Sequence, residues 1–271
     1  MILRVIKLLI SFMIMIFDSL KLGIYRLFGI KTKGTAVTIY YHCIDTELRS
    51  KFARQLDCIL KHFKPVRADI SEPLEHGVHH VAVTIDDGFV CVMGNGVPEL
   101  VKRGIPFAIF VPSNCLGQAA QWMTYNNHHR NILDEEMLKS LKNCHLAVIG
   151  SHCMTHRDLR SLNFDESICE IDNSKKDLES ILEREVSLLC FPYGGYLPMH
   201  IDLAKKSKYA RVFTTKPTWA FLSPDEFVTG RINVEPTDWL PEFYLKIRGA
   251  YRWLPIAYSI KSRIYSKLGL S

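Results

Sequence analysis

The sequence lacks a long uncharged apolar segment. In its most apolar part, near the N-terminus, the uncharged run extends only from Leu8 to Phe17, whereas a membrane-spanning helix needs about 20 mostly apolar residues. No small-residue cleavage site follows Phe17, so a secretory signal peptide is not indicated either. Internal repeats and low-complexity tracts are also absent, which excludes fibrous and disordered classes. With 271 residues, 48% of them hydrophobic, the chain suits one large folded domain.

The eight cysteines lack a recognisable pattern. No two of them form a C-x-x-C pair, and their wide spacing is not that of a disulfide framework. Several lie within apolar runs, where a free cysteine behaves as a small hydrophobic residue. We therefore expect the cysteines to be reduced and the protein to reside in a reducing compartment.

Acidic residues are scarce at both ends of the chain. Residues 1–34 carry a net charge of +5 and residues 246–271 carry +6, which leaves −5 for residues 35–245. Two basic, apolar-rich ends around an acidic body indicate contact with an anionic membrane surface. No nucleic-acid-binding motif is present, so we expect no nucleic-acid partner. The predicted organisation is a membrane-associating segment (1–34), a folded body (35–245) and a basic, aromatic C-terminal segment (246–271).

The first segment has the pattern of an amphipathic helix. Placed at 100° per residue, its polar positions fall within an arc of roughly 140°. These positions are Arg4, Lys7, Ser11, Asp18, Lys21 and Arg26. We predict amphipathic helices that lie on the membrane surface at both termini, since the C-terminal segment also mixes aromatic with basic residues. The alternative for the first segment is a core helix that packs on the body with its charges outside.

Between the ends, short β-branched or aromatic runs alternate with helical patterns. The strand candidates are residues 36–41, 81–85, 107–111, 146–150, 188–192, 211–215 and 227–234. Helical patterns include residues 50–63, 97–104, 134–141, 165–185 and 200–207. This alternation predicts an α/β fold with a parallel sheet buried on both faces. About seven repeats favour a barrel, whose functional residues would follow the carboxyl ends of the strands.

Candidate functional residues do follow the predicted strands. His42 comes after the first strand, Asp86 and Asp87 after the second, His152 after the fourth and Tyr193 after the fifth. Although they are up to about 150 residues apart in sequence, a barrel would bring them to one rim.

Asp86 and Asp87 suggest a metal site. Adjacent buried carboxylates are costly unless they are paired or bind a metal. His152 and His156 are four residues apart, so on a helical turn both imidazoles would share one face. Two imidazoles and one carboxylate leave an open position, as in catalytic zinc sites, and the second aspartate would be free for proton transfer. Alternatively, the two aspartates cap the following helix.

Three motifs, in order, resemble those of the polysaccharide deacetylases of carbohydrate esterase family 4, the NodB-homology fold. They are TIDDG (84–88), SHCMTH (151–156) and FPYGG (191–195), with Ile85 where the family usually has Phe. The resemblance covers residues 36–240. It implies a distorted (β/α)7 barrel in a single domain and the metal-dependent hydrolysis of an N-acetyl group on an amino sugar.

The same resemblance implies roles for individual residues. By position, Asp86 would be the general base, and Asp87, His152 and His156 would bind a divalent metal, for which Zn²⁺ is our expectation. The backbone N–H of Tyr193 would help to hold the oxyanion.

Two features depart from the usual family pattern. No Leu-x-His motif, which would carry the general acid, follows Trp239. In the subgroup related to the biofilm poly-N-acetylglucosamine deacetylases, the general acid is a histidine after the first strand. YYHCI (40–44) resembles that element, so His42 is the candidate acid. No arginine precedes Pro192 to orient the base, and Arg231 is the candidate to replace it.

The sequence therefore predicts a membrane-associated hydrolase. The expected substrate is an N-acetylated amino-sugar glycan, lipid-linked or part of a lipopolysaccharide precursor, at the cytoplasmic face of a bacterial inner membrane. Two alternatives remain: an O-acetyl esterase that acts on a glycan, and a non-catalytic glycan-binding protein on the same fold.

Overall fold

A computed structural model describes residues 2–125 and 128–268 of the chain. Strands and helices alternate through most of it. In chain order, the elements are α1 (Ile2–Leu27), β1 (Thr35–Tyr41), α2 (Arg49–His62), β2 (Lys64–Pro65), β3 (His79–Ile85), α3 (Val97–Lys102), β4 (Phe107–Val111), β5 (Ala119–Tyr125), β6 (His128–Asn131), α4 (Glu135–Ser140), β7 (Ala147–Ser151), α5 (Phe164–Ile168), α6 (Ser174–Leu182), β8 (Leu188–Cys190), α7 (Pro198–Lys206), β9 (Arg211–Thr214), β10 (Val228–Asn233), α8 (Leu240–Ile247) and α9 (Leu254–Leu268).

Seven parallel strands form a closed barrel in the order β1, β10, β9, β8, β7, β4, β3. The barrel closes because β1 pairs with both β10 and β3, so that Thr38 is aligned with Arg231 on one side and with Ala82 on the other. The strands are buried on both faces, as in β4, where all five residues are buried. The predicted single-domain distorted (β/α)7 barrel is confirmed.

Three elements differ from the sequence prediction. An antiparallel hairpin of β5 and β6 lies outside the strand-helix alternation, and α8 follows the last strand. The single helix predicted over residues 165–185 is instead α5 and α6 joined by a π-helical segment, Cys169–Asn173. π-helical turns are frequent at functional sites, and this one carries a side chain that supports the candidate site.

Helix α1 packs on the body through its polar side. Arg4 forms an ion pair with Glu242 at 2.6 Å, and Asp18 forms one with Arg252 at 2.7 Å. Between them, the fully buried Ser11 accepts a hydrogen bond of 3.0 Å from the indole of Trp253. We call this set of contacts the α1 interface.

Most of the apolar residues of α1 point away from the body. Leu8, Ile14 and Met15 reach the core, but a broad stripe on the other side stays exposed. This apolar face of α1 consists of Leu9, Phe12, Met13, Ile16, Phe17, Leu20, Ile24 and Leu27. The amphipathic pattern is therefore present, with Arg4 and Asp18 on the side that packs against the body and Lys21 and Arg26 exposed. Within residues 2–125 and 128–268, none of the helices combines the length and the apolar composition that a membrane span requires.

The C-terminal segment contains the end of α8 and helix α9. Ile256, Tyr258 and Ile260, in the first part of α9, are exposed. The last three residues of the predicted segment, 269–271, lie outside the described part of the chain.

Candidate active site

The predicted site residues meet in one cavity of about 360 Å³ at the carboxyl ends of the strands. The cavity is lined by Tyr40, His42, Asp86, Asp87, Trp122, Met123, His152, His156, Phe191, Tyr193, Gly194 and Thr215. Arg231 lies beneath it and contacts Asp86. The structure therefore brings together all seven residues that the sequence singled out.

The turn after β3 points the side chains of Asp86 and Asp87 to different sides. Asp87 and Gly88 both have a left-handed backbone, with φ of 67° and 65°. Gly88 is required there, since a Cβ atom at this position would lie 2.4 Å from the Cγ1 of Val111. Aspartate adopts this conformation less readily than glycine, so the surrounding contacts must hold Asp87 in it. The turn places Asp86 against Arg231 and Asp87 against the two histidines.

Asp87, His152 and His156 have the geometry of a metal-binding group. The Oδ1 atom of Asp87 lies 3.3 Å from Nε2 of His152 and 3.1 Å from Nε2 of His156. The ligand atoms all lie within 4.8 Å of one another, and all three residues are buried. One carboxylate and two imidazoles form a donor set that Zn²⁺ commonly accepts.

The hydrogen bonds of His152 indicate a cation at this position. Its Nδ1 donates to the carbonyl oxygen of Cys190 at 2.8 Å, so Nε2 of the neutral ring carries a lone pair. That lone pair faces Oδ1 of Asp87, which is buried and has no hydrogen-bond partner among the described residues. Two acceptors 3.3 Å apart repel each other unless a proton or a metal cation lies between them. The residues therefore fit a divalent metal.

A loop, not a helical turn, brings His156 to His152. Residues 152–156 contain no helix, and His156 has a left-handed φ of 60°. The helical-turn explanation of the four-residue spacing is thus wrong, although the two rings do meet, with centroids 4.8 Å apart. The loop is held by Glu170, a buried residue of the π-helical segment, which accepts hydrogen bonds of 2.9 Å from the backbone N–H groups of Met154 and Thr155.

Arg231 holds Asp86 from below. Its Nη1 and Nη2 atoms donate to the two carboxylate oxygens of Asp86, each at 2.7 Å. Both residues are buried, and the guanidinium also lies 4.5 Å from the ring centre of Tyr40. Burial raises the pKa of Asp86, but the charge and hydrogen bonds of Arg231 outweigh burial and hold the pKa below its usual value. Asp86 is therefore a carboxylate at neutral pH.

Two residues that the sequence did not single out complete this pair. Thr84 accepts a hydrogen bond of 2.9 Å from Arg231, and the buried Cys190 has its sulfur 2.8 Å from Nη2 of Arg231. Thr84 could have been found from strand periodicity, and Cys190 from its position directly before a motif. Thr84 lies two residues before Asp86 on β3 and so shares its face, and Cys190 ends β8 directly before the FPYGG motif.

Trp122 covers the metal-binding group from the hairpin. Its indole stacks on the imidazole of His156 at a centroid distance of 4.0 Å, and its Nε1 donates to Oδ2 of Asp87 at 3.3 Å. The structure places it over two of the three candidate metal ligands.

His42 and Tyr193 lie at the edge of the same cavity. His42 follows β1 and packs edge-on against Tyr40, with ring centres 5.5 Å apart. Tyr193 is exposed and has a left-handed φ of 57°, and its ring centre lies 4.8 Å from that of His156. Gly194 must be a glycine, because a Cβ atom there would lie 2.1 Å from the hydroxyl oxygen of Thr215.

The cysteine prediction is wrong at one place. The structure pairs Cys43 with Cys91 in a disulfide, while Cys58, Cys115, Cys144, Cys153, Cys169 and Cys190 are free. The two partners are 48 residues apart in sequence, so their spacing gave no signal. They meet because the segment after β1 and the segment after β3 are neighbours in the barrel. The bond lies next to His42.

Comparison with known proteins agrees with this geometry. The family model described as "Polysaccharide deacetylase" matches residues 75–212. The protein YxkH of Bacillus subtilis (strain 168), named for the same family, is 26% identical over 156 residues, which are 58% of this chain and 52% of YxkH. The chain thus spans about half the length of this curated relative.

Two solved structures have a similar fold. The Streptococcus pyogenes deacetylase PplD, in complex with acetate, is 18% identical with a TM-score of 0.65, over 80% of this chain and 99% of that one. IcaB from Ammonifex degensii is 21% identical with a TM-score of 0.64, over 82% of this chain and 99% of IcaB. At these identities the likeness shows the shared fold.

Proposed function

Because the chain belongs to the polysaccharide deacetylase family, we propose that it is a metal-dependent hydrolase that removes the acetyl group from an N-acetylated amino sugar. One observation carries the proposal. A buried, arginine-held carboxylate, Asp86, lies next to a donor set for a divalent metal, and both open into the same cavity. A base beside a metal is the arrangement that amide hydrolysis needs.

The metal would be held by Asp87, His152 and His156. We propose Zn²⁺, since these ligands suit it and the three side chains leave room for a further ligand from the cavity. When bound, the metal would supply a Lewis acid that polarises the acetyl carbonyl and acidifies water. Trp122 would orient Asp87 through its indole N–H, and the carbonyl of Cys190 would fix the ring of His152.

Asp86 would act as the general base. It faces the cavity beside the metal-binding group, and its carboxylate is ionised at neutral pH because Arg231 holds both oxygens. In this position it accepts a proton from the attacking water. Arg231 does not reach the substrate; it fixes the direction of the carboxylate and its charge.

His42 and Tyr193 would act on the other side of the substrate. His42 lines the cavity from the end of β1, where its imidazole can protonate the departing amine. The backbone N–H of Tyr193 would donate to the acetyl oxygen as negative charge develops there, and such a donor typically contributes about 10²–10³-fold to the rate. The left-handed turn at Tyr193 and Gly194 fixes this part of the rim.

We further propose that the substrate is lipid-linked and that the protein works at a membrane surface. The apolar face of α1 is exposed, and several basic residues flank it. This arrangement suits a bilayer with anionic lipids, into whose interface an apolar helix face can be buried while basic residues contact the headgroups. A disulfide between Cys43 and Cys91 favours an oxidising compartment over the reducing one that we expected from the cysteine pattern, because disulfides persist where thiols are not kept reduced.

The deacetylase proposal is tested by acetate release from N-acetylglucosamine oligomers, together with metal analysis of the full-length protein. We expect stoichiometric metal, and in Asp86→Asn a loss of about 10²–10⁴-fold in rate with metal retained. Asp134→Asn is the matched control, since Asp134 caps α4 and asparagine caps equally well. Acetate release from O-acetylated glycans alone would identify an esterase, and no release from either substrate by the metal-loaded protein would leave a glycan-binding function.

The membrane proposal is tested by sedimentation with vesicles that contain phosphatidylglycerol. Leu9→Glu with Leu20→Glu should reduce binding by about tenfold or more per residue, because a buried leucine contributes about 1.5–3 kcal/mol. The control is Leu60→Glu with Val101→Glu, which replaces two apolar residues that are also exposed, on α2 and α3. If both double variants bind vesicles alike, the apolar face of α1 is not the membrane contact.

A further inference from the structure

A second cavity, of about 650 Å³, lies between the second half of α1 and the base of the barrel. It is bordered by Thr35 and His79, which begin β1 and β3, whereas the candidate active site lies at the carboxyl ends of the strands. The described linings of the two cavities have no residue in common. The second cavity is therefore a separate site, which we call the basal cavity.

The basal cavity is strongly cationic. Its lining includes six basic residues, Lys21, Arg26, Lys31, Lys33, Arg248 and Arg252. Asp18 is the one acidic residue in the described lining, and it forms an ion pair with Arg252 at 2.7 Å. Positive charges that converge in this way repel one another, and an anion in the cavity would relieve that repulsion.

Arg248 is the best-placed group to bind an anion. It is half-buried, and within the described part of the chain no carboxylate forms an ion pair with it. Its guanidinium donates one long hydrogen bond, 3.5 Å, to the hydroxyl of Ser19. A guanidinium offers paired N–H donors that match the oxygens of a phosphate group.

His79, at the wall of the cavity, adds no positive charge. Its Nε2 donates to the carbonyl oxygen of Ile247 at 2.8 Å, and its Nδ1 accepts from the hydroxyl of Thr35 at 2.7 Å. These two bonds define a neutral ring, and burial lowers the pKa of His79 to about 4. The charge of the cavity therefore comes from lysine and arginine alone and is constant over the physiological pH range.

Exposed apolar side chains continue outward from the cavity. Ile30 belongs to the lining and is 51% exposed, and Leu27 and Phe28, just before it, are 81% and 72% exposed. They extend the apolar face of α1 to the mouth of the cavity. A small inorganic anion would make no contact with such a surface. An anionic lipid would use both parts, the cationic pocket for its headgroup and the apolar surface for its acyl chains.

We propose that the basal cavity binds the phosphate headgroup of an anionic membrane lipid, with the acyl chains lying along the apolar face of α1. The inference rests on the membrane-surface part of the proposed function and is independent of deacetylase activity. It gives the helix a specific lipid contact in addition to general adhesion.

Titration of the full-length protein with dihexanoyl phosphatidylglycerol, below its micelle concentration, tests this proposal by calorimetry. Because the probe is a soluble monomer, neither vesicle binding nor enzyme activity enters the readout. We expect the wild type to bind the lipid saturably. The double variant Lys31→Gln with Lys33→Gln, which changes two exposed residues, should weaken the affinity about fivefold for each lysine removed. Arg248→Gln should weaken it as well. Lys102→Gln with Lys206→Gln, exposed lysines on α3 and α7, should leave it unchanged.

Two further titrations identify the source of the phosphate. Dihexanoyl phosphatidylcholine, which is net neutral, should bind more weakly than the glycerol lipid, and inorganic phosphate should bind more weakly still. Equal binding of inorganic phosphate and the anionic lipid would overturn the lipid assignment. Equal binding by the basal-cavity and control variants, or no saturable binding at all, would overturn the site.

Discussion

The candidate active site and the α1 interface are each held by an arginine–carboxylate ion pair between distant parts of the chain. The contacts are almost equal in length, 2.7 Å for Arg231 with Asp86 and 2.6 Å for Arg4 with Glu242. Their surroundings differ, since the side chain of Arg231 is fully buried whereas that of Arg4 is 37% exposed. Contact distance therefore says little about energy, and burial decides which pair the fold depends on.

The difference also separates two uses of charge. In the active site, burial makes each charge dependent on a partner, so the positions of Asp86 and Asp87 are fixed by the residues that neutralise them. At the α1 interface, water also screens the charges. The ion pairs there can orient the helix without determining whether the barrel folds. The predictions below test this contrast, beginning with the largest effect.

Arg231→Gln should cost about 3–5 kcal/mol of unfolding free energy, because it leaves the buried carboxylate of Asp86 without its counter-charge. Urea unfolding of the wild type and the variant measures the loss. Arg157→Gln is the surface control, since Arg157 pairs with Glu166 at 3.0 Å while half-exposed, and its effect should be at most about 1 kcal/mol. Equal losses in the two variants would contradict the role assigned to burial.

The pH dependence of the same variant gives a second readout. In the wild type the pKa of Asp86 is lowered, so the stability from this pair is present above the usual carboxyl pKa and is lost as the pH falls through the lowered value. Without Arg231, burial alone acts and raises the pKa of Asp86. The acidic limb of the activity profile should then move to higher pH, and Arg231→Lys, which keeps the charge, should move it less.

Removing the Cys43–Cys91 disulfide should have the next largest effect. Cys43→Ser with Cys91→Ser should cost about 2–4 kcal/mol, because the closed loop restricts the unfolded chain. Dithiothreitol should reproduce this loss in the wild type and have no effect on the variant. The free cysteines Cys144 and Cys169 provide the control double variant. A wild type that is insensitive to reductant would show that the bond does not form in solution.

Trp122→Phe should weaken metal binding by about 10–100-fold, the usual effect of losing a residue that orients a metal ligand. The substitution keeps a ring to stack on His156 but removes the hydrogen bond to Asp87. Competition with a chelator measures the affinity. Trp253→Phe is the matched control, because it removes an indole hydrogen bond of similar length at the α1 interface, to Ser11, and should leave the metal affinity unchanged.

Strand-end chemistry was predictable from the sequence because the barrel imposes it. Parallel strands end at one rim, so His42, Asp86 and His152 could be brought together without knowledge of any distance. Arg231 could be named as a candidate because it lies in a predicted strand. Its bidentate contact could not be predicted, since that depends on the register that aligns Arg231 with Thr38 and closes the barrel.

The features that the sequence did not reveal depend on contacts between distant segments. The role of Glu170 arises because a π-helical segment faces the histidine loop, and nothing in the local sequence marks that contact. The disulfide between Cys43 and Cys91 has the same origin. The orientation of α1 was open for another reason: an amphipathic pattern defines two faces but not which of them meets the protein.

Arg4→Gln should have the smallest effect, about 0.2–1 kcal/mol, because a partly exposed ion pair is screened by water and salt. Arg4 contacts Glu242 at 2.6 Å and lies 4.4 Å above the ring of Trp239, so glutamine also removes a cation–π contact. Urea unfolding at low and high salt measures the change, and the difference from wild type should shrink as salt rises. A salt-independent loss as large as that of Arg231→Gln would mean that α1 is part of the folded core. A small, salt-dependent loss of unfolding free energy would agree with a helix that its polar side positions on the body. The apolar face of such a helix is left free to contact another surface.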